Sequence, residues 1–490
     1  MTAAGPTEAS VVDAVGKDLF IGGKWRQATG GRTLPVYDPS TGKVLCEVAD
    51  ASPSDGKEAL DAAVAAQASW AQHPPRERGE ILRRAFALLN ERVEELALLM
   101  TLEMGKPLAE SRTEVAYAAE FFRWFAEESV RIDGGYAVPP NGKGRFLVHR
   151  QPVGPSLLIT PWNFPMAMGT RKLGPAIAAG CTSVIKPAAQ TPLSMLALAG
   201  ILAEAGLPDG VVNVLTTSDS GGVMEPLIRD GRARKLSFTG STEVGRKLLE
   251  QCAEKVLRTS MELGGNAPFI VFDDADLDVA VEGAMVAKLR NIGEACTAAN
   301  RFYVQRGAAG EFARRLTERM AAQPIGRGTE DGVVIGPLID EAAIEKVSGL
   351  VTDAVDRGAN VLTGGSAIDG PGHFYPPTVL ADVPQNARIT HEEIFGPVAP
   401  ITVFDTEDQA VAEANDTEFG LVSYLFTQDL NRALRVGEAL ETGMIGLNQG
   451  MVSNPAAPFG GVKHSGLGRE GGTVGIDEFL EIKYIAIGLT

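Results

Sequence analysis

The sequence predicts an α/β protein built from a doubly wound parallel sheet, a second α/β domain and a small β extension. Three observations lead there. From about Arg145 short apolar runs alternate with helical segments at close spacing, the pattern of repeated βαβ units. After Gly264-Gly265 the alternation starts afresh and continues to about Gly446. Two strand-like pieces, Ile132 to Pro152 and Glu481 to Leu489, stand outside both series and are free to pair with each other or with another subunit.

Taken in order, Met1 to Gly16 has neither the basic stretch nor the apolar core of a signal peptide and reads as a loose tail. Ser54 to Gln72 is an Ala-rich amphipathic helix. Arg76 to Thr101 reads as one long helix, with Ile81, Leu82, Ala85, Leu88, Leu89 and Val93 at helical spacing. In Ala109 to Val130, Phe121, Phe122, Trp124 and Phe125 form an aromatic core stripe. The first βαβ series has strands at Ser156 to Thr160, Thr182 to Lys186, Val211 to Leu215 and Lys235 to Thr239. Its helices are Met166 to Ala179, Leu193 to Ala205, Met224 to Arg229 and one opening at Thr242. The second series begins with a strand at Pro268 to Phe272 and a helix from Asp276 to Asn291. In such sheets ligands sit at the carboxyl ends of the strands.

At 490 residues the chain holds two or three domains by the usual scale of about 150 residues each. A hydrophobic content of 44% and a charged content of 22% are those of a soluble globular protein, and a net charge of -17 disfavours nucleic acid and anionic membrane as partners. No run reaches transmembrane length. The four cysteines, Cys46, Cys181, Cys252 and Cys296, form no CxxC pair, so neither a disulfide scaffold nor a metal site is expected, and the chain reads as cytoplasmic.

The candidate chemistry lies in the loops. Cys296 follows a Gly-containing turn and can attack a carbonyl and hold the acyl group, or be a small buried hydrophobe. Pro161-Trp162-Asn163-Phe164-Pro165 is fixed by two prolines and places an Asn163 amide to stabilise an oxyanion, or is simply a rigid turn. Lys186, at a strand end, can hold a ribose or phosphate, or snorkel at the surface. Phe238-Thr239-Gly240-Ser241-Thr242 opens a helix whose N-terminus favours phosphate; it is not GxGxxG, and Ser241 or Thr242 also serves as a helix cap. Glu262, in Met261-Glu262-Leu263-Gly264-Gly265, has the apolar neighbours that raise a carboxyl pKa and suit a general base, or lies on a helix surface. Glu393, two residues before Phe395, suits a ribose hydroxyl beside a flat ring, or belongs to a structural turn.

Together PWNFP, KPxxxTP, FTGSTEVG, MELGG, the Gly-x-x-Cys-x-x-Ala-Asn-Arg segment and EEIFGPV resemble the aldehyde dehydrogenase superfamily, over nearly the whole chain from Phe20 to Tyr484. The resemblance implies that Cys296 is the nucleophile, Glu262 the base, Asn163 with the Cys296 backbone N–H the oxyanion hole, and Lys172 part of a proton relay. It places Trp162, Lys186, Ala189, Gly240, Ser241, Leu263, Glu393 and Phe395 around the cofactor. Residues 1–131 and 153–263 then form the dinucleotide-binding domain and 264–462 the catalytic domain. Residues 132–152 and 463–490 supply the oligomerisation strands and C-terminal tail of a homodimer or homotetramer.

Within the superfamily, Met-x-Thr-Arg-Lys-x-Gly-Pro, Arg-Asn-x-Gly-x-x-Cys and the Ser453 to Lys463 segment look like succinate-semialdehyde dehydrogenases. The resemblance then assigns Arg171, Arg290 and Ser453 to the distal carboxylate of a semialdehyde and suggests a 4-aminobutyrate route. Glutarate semialdehyde or a broader aldehyde range is the alternative. Ala189 stands where many NAD-using relatives carry glutamate, so NADP is expected to be preferred, with NAD also usable. Ala298 replaces the second cysteine of a redox-switch disulfide found in some relatives. A thiol hydrolase without redox chemistry would leave Lys186, Glu393 and the phosphate-ready loop unexplained, and Cys296, Glu262 and Asn163 together argue against a non-catalytic structural or binding protein.

Overall fold

The computed structural model describes residues 5–489. Its first sheet has eight strands in the order Lys24–Arg26, Leu19–Ile21, Val212–Val214, Ser183–Lys186, Ser156–Ile159, Lys235–Thr239, Arg258–Glu262 and Gly466–Leu467. The central five are parallel, and the strands flanking them are antiparallel additions. Chain order reverses across Ser156–Ile159, whose neighbours are the next strand on one side and a later one on the other. That switch point opens a crevice at the carboxyl end of Ser156–Ile159, where the loop 161–165 begins.

The second sheet has seven strands in the order Asn360–Thr363, Thr378–Ala381, Val398–Phe404, Ala299–Gln305, Ala267–Val271, Val422–Phe426 and Met444–Leu447, parallel except at the Asn360–Thr363 edge. Ala267–Val271, Ala299–Gln305 and Val422–Phe426 are buried almost throughout, as strands covered on two faces must be. A third sheet joins Gly135–Ala137, Arg145–Pro152 and Leu480–Ile487 antiparallel, so the two segments outside the main series do pair with each other. It leaves Tyr136, Leu147, Ile482, Tyr484 and Ile485 exposed.

Three expectations need correction, and one alternative, for Glu262, falls. The start is not all loose tail: Glu8–Asp13 is helical, with Thr7 and Ser10 capping each other and Val11 and Val12 buried; residues 1–4 lie outside the described residues. The long helix from Arg76 is two helices, Pro75–Glu91 and Val93–Met104, broken at Arg92. The second of these is buried from Leu96 onward, because it packs against helices Leu108–Glu128 and Leu193–Glu204 and is covered by Glu8–Asp13. Glu262 is not on a helix: it ends the strand Arg258–Glu262. Finally, the segment from 463 is more than a tail, since Gly466–Leu467 adds to the first sheet beside Glu262.

Helix Leu108–Glu128 packs Phe121, Phe122 and Phe125 into the core against helix Ala167–Ala179. Buried Glu103 accepts the backbone N–H groups of Leu193 and Ser194 at 2.7 and 2.8 Å. It thereby satisfies the start of helix Leu193–Glu204, which follows the Lys186 loop.

Candidate active site

Cys296 sits in the connection between helix Leu277–Leu289 and strand Ala299–Gln305. Three successive residues before it hold left-handed backbone, Asn291 at φ 53°, Ile292 at 61° and Gly293 at 79°. A β-branched residue there is strained by about 1–3 kcal/mol, and Ile292 is held by complete burial. Glycine is required at 293, since a Cβ would lie 2.3 Å from the Gly396 carbonyl. Gly265 is required for a similar reason: a Cβ there would lie 2.4 Å from the Cys296 carbonyl.

The nucleophile loop is tied to the switch-point loop. Asn163 Nδ2 donates to the Glu294 carbonyl at 3.0 Å, and Asn291 Nδ2 donates to the Asn163 carbonyl at 3.1 Å. Buried Lys106 donates to the same Asn163 carbonyl at 2.7 Å and to Glu114 at 2.5 Å. Asn163 is therefore fixed from three directions beside Cys296. One N–H of its side-chain amide remains for a ligand.

Cys296 opens into a cavity of about 230 Å³ walled by Trp162, Asn163, Gly240, Ser241, Leu263, Lys346, Glu393 and Phe395, among others. Trp162 and Phe395 meet edge to face at 5.3 Å. Glu393 accepts the Gly265 N–H at 3.0 Å, and burial raises its carboxyl above the usual range. Ser241 caps helix Thr242–Ala253, accepting the Val244 N–H at 3.4 Å. Lys186 is also buried, with its ammonium on Ser220 Oγ at 2.9 Å. Burial pushes that ammonium down to about 8. Lys186 and Ala189 are not in the wall of the Cys296 cavity; they stand one strand over, at the end of Ser183–Lys186.

Burial pushes the Cys296 thiol up to about 12; Arg171 pulls it back, while Glu393 and Glu262 add to the rise. At neutral pH it is therefore a thiol that needs a base. Glu262 does not line the cavity but turns into a buried charge cluster. Burial first, then the negative Glu470, raises its carboxyl well above the ordinary value, and its Oε2 has no hydrogen-bond partner. Lys172 donates to Glu470 at 2.6 Å and to Ser237 at 2.8 Å. Burial opposes the Glu470 charge, but Lys172 and Arg171 outweigh it and hold that carboxyl low.

Arg171 Nη2 is ion-paired with Glu470 at 2.7 Å, and its buried Nε has no acceptor. Arg290 Nη1 reaches Ser453 Oγ at 3.4 Å, and its guanidinium lies 4.7 Å from the Phe164 ring. Both guanidiniums are near enough to pull on the Cys296 thiol, and neither they nor Ser453 line the Cys296 cavity.

Sequence reasoning missed Glu470 and Lys346. Glu470, in Gly468-Arg469-Glu470-Gly471-Gly472, carries the signal that singled out Glu262, a carboxylate before paired glycines. Lys346, on helix Glu341–Asp356, reaches the cavity from a helix with nothing distinctive in its sequence.

The Aldehyde dehydrogenase family model matches residues 25–485. A succinate-semialdehyde dehydrogenase of Paenarthrobacter nicotinovorans is 60% identical, over 91% of this chain and 99% of its own. A glutarate-semialdehyde dehydrogenase of Pseudomonas putida is 51% identical, over 96% and 98%. A crystal structure described as an E. coli NADP dependent enzyme superposes with a TM-score of 0.96 at 52% identity, covering 97% of this chain and 99% of the other.

Proposed function

The chain belongs to the aldehyde dehydrogenase family, and from that premise we propose that it oxidises succinate semialdehyde to succinate with NADP as preferred cofactor. The observation that carries the substrate is the pair of guanidiniums near Cys296, with Arg290 Nη1 on Ser453 Oγ at 3.4 Å and Arg171 Nε buried without an acceptor. A carboxylate fits there by charge and bidentate geometry. A neutral aldehyde would leave Arg171 Nε unpaired.

The residues present fit a nicotinamide dinucleotide. Glu393 and Lys346 would hold the ribose next to the ring, Phe395 and Trp162 the ring itself, and the start of helix Thr242–Ala253 the diphosphate. Lys186 beside Ala189 would take a 2′-phosphate, which a glutamate at 189 would repel. When bound, the nicotinamide supplies the hydride acceptor.

The side chains divide the remaining work. Hydroxide from solvent takes the Cys296 proton, and the thiolate adds to the aldehyde carbon. The oxyanion is met by the Asn163 amide and the Cys296 backbone N–H. Hydride loss leaves a thioester on Cys296, and Glu262 deprotonates the water that hydrolyses it. Lys172 and Glu470 carry the proton onward from Glu262. Residues 1–131 and 153–263 serve the cofactor and 264–462 the chemistry. The exposed third sheet pairs subunits through Leu480–Ile487.

Absorbance at 340 nm with succinate semialdehyde, glutarate semialdehyde and butanal, each with NADP and NAD, tests the reading. The highest kcat/KM is expected for succinate semialdehyde with NADP. Preference for butanal would refute the clamp, and preference for NAD the cofactor assignment. The glutarate alternative stays in view because one methylene is worth only about 1–3 kcal/mol.

Two further outcomes follow. Arg290→Gln should lower kcat/KM for succinate semialdehyde by roughly 10- to 100-fold, the ~1.5–3 kcal/mol of a charged hydrogen bond, and leave butanal nearly unchanged. Equal losses for the two would mean a structural role. Because Lys186 titrates near 8, its charge is present below that pH and lost above it. KM for NADP should therefore rise on going from pH 7 to pH 9.5, by about tenfold at most, while KM for NAD rises much less. Parallel curves would remove Lys186 from the 2′-phosphate site.

A further inference from the structure

Lys288 belongs to none of the steps above, yet it is completely buried on the last turn of helix Leu277–Leu289, between the turns that flank Cys296. Its Nζ donates to Asn300 Oδ1 at 3.1 Å and to the Gly396 carbonyl at 3.2 Å. Asn300 Nδ2 in turn reaches the Gly265 carbonyl at 3.4 Å, and the Gly265 N–H is the donor that Glu393 accepts. The contacts close a loop from Lys288 through Asn300 and Gly265 to Glu393, then along the chain to Gly396 and back.

Two features show what that loop holds. Phe395, immediately before the gripped carbonyl, has φ 59°, a conformation a bulky aromatic adopts only under constraint. Gly293 of the nucleophile loop packs against the same Gly396 carbonyl, and a Cβ there would also lie 2.9 Å from the Lys288 carbonyl. The Lys288 side chain therefore clamps the Glu393–Gly396 turn, through Asn300, to the Gly264–Gly265 turn, where the nucleophile loop also packs. Burial pushes its ammonium down to about 7, and Glu393 pulls it back up.

We propose that Lys288 is a positioning residue that locks the Glu393–Gly396 turn against Gly265, and thereby sets how the nicotinamide end of the cofactor is presented to Cys296. The proposal rests on the nicotinamide reading of the cavity. It predicts a defect confined to one end of the cofactor. The 2′-phosphate end, at Lys186, belongs to the first sheet, whereas Lys288 holds Asn300 of the second, so that end should not feel the change.

The test compares Lys288→Met, which keeps length and removes the donor, with Lys288→Gln, which keeps a donor. Three readouts are taken as ratios to wild type: affinity for 2′,5′-ADP, which has no nicotinamide; affinity for and turnover with NADP; and hydrolysis of p-nitrophenyl acetate, which uses Cys296 and Glu262 without cofactor. Lys288→Met should weaken NADP and slow aldehyde oxidation by about 10-fold or more, as expected for a lost hydrogen bond at a buried site. Binding of 2′,5′-ADP and ester hydrolysis should stay within about threefold, and Lys288→Gln should recover part of the loss. Equal losses in all three readouts, or no loss in any, would overturn the proposal. If Lys288→Met does not fold, Lys288→Gln and Asn300→Ser carry the same comparison; failure of all three to fold would assign Lys288 to the fold alone and also overturn it. The ratios are taken with whichever aldehyde and nicotinamide cofactor the wild type uses, so a wrong substrate assignment leaves the comparison intact. A wild type that reduces no nicotinamide cofactor would instead sink the functional reading.

Discussion

Replacing Cys296 with serine should reduce aldehyde oxidation by about 10⁴-fold or more, while NADP still binds with near wild-type affinity. The site already works against ionisation: burial pushes the thiol to about 12, and Glu393 and Glu262 add negative charge around it. A serine hydroxyl starts several units higher than a thiol, so the same surroundings would leave almost no alkoxide. Cofactor affinity should hold because Cys296 is one wall residue among many, and Lys186, Ser241 and Glu393 are untouched. NADPH formation at 340 nm and a fluorescence titration with NADP check the two halves. Turnover of the serine variant above about 1% of wild type would mean that another group forms the covalent bond. The thiol's position also gives a sign for pH. In the wild type, acylation should accelerate as pH rises from 6 to 9, because the reactive form is the deprotonated one.

The loop that presents this thiol shows what sequence patterning carries and what it does not. Gly293 and Cys296 were visible as residue types, but nothing local announces that Asn291 and Ile292 hold left-handed backbone. That conformation is imposed by Asn163 and Gly396, which are distant in the chain, together with the neighbouring Glu294 carbonyl. The first parallel strands were legible to within a residue or two because Ser156–Ile159 and Ser183–Lys186 are short apolar runs between glycines and prolines. Arg258–Glu262 was not: four of its five residues are polar, and Ser260 is satisfied by Lys235 on the neighbouring strand and by Glu478 from a distant turn. Apolar pattern alone also hid the break at Arg92, since Leu and Val continue at helical spacing through it. Among site residues, those in strand-end loops stood out by type, whereas Glu470 acquires its meaning only by meeting Arg171 and Lys172, some 300 residues earlier in the chain.

That meeting makes Glu262→Gln the more informative experiment. Glutamine keeps the size of the side chain but cannot take a proton, so the thioester on Cys296 should form and then persist. The expected trace is a burst of roughly one NADPH per active site followed by turnover slowed about 10²–10⁴-fold, the usual range for a lost general base. A linear trace with no burst would mean that Glu262 acts before the thioester forms, or not at all. Burial and the neighbouring Glu470 charge both hold the wild-type Glu262 carboxyl well above its ordinary value. Hydrolysis should therefore rise with pH through an inflection above the usual carboxylate range, and that inflection should vanish in Glu262→Gln. Glu470→Gln removes a like charge and frees Arg171 and Lys172 to act on Glu262, and both changes favour the carboxylate. The inflection should then move to lower pH without disappearing. If it stayed where it was, the buried cluster would be structural, and the proton taken by Glu262 would leave by a path that avoids Lys172 and Glu470.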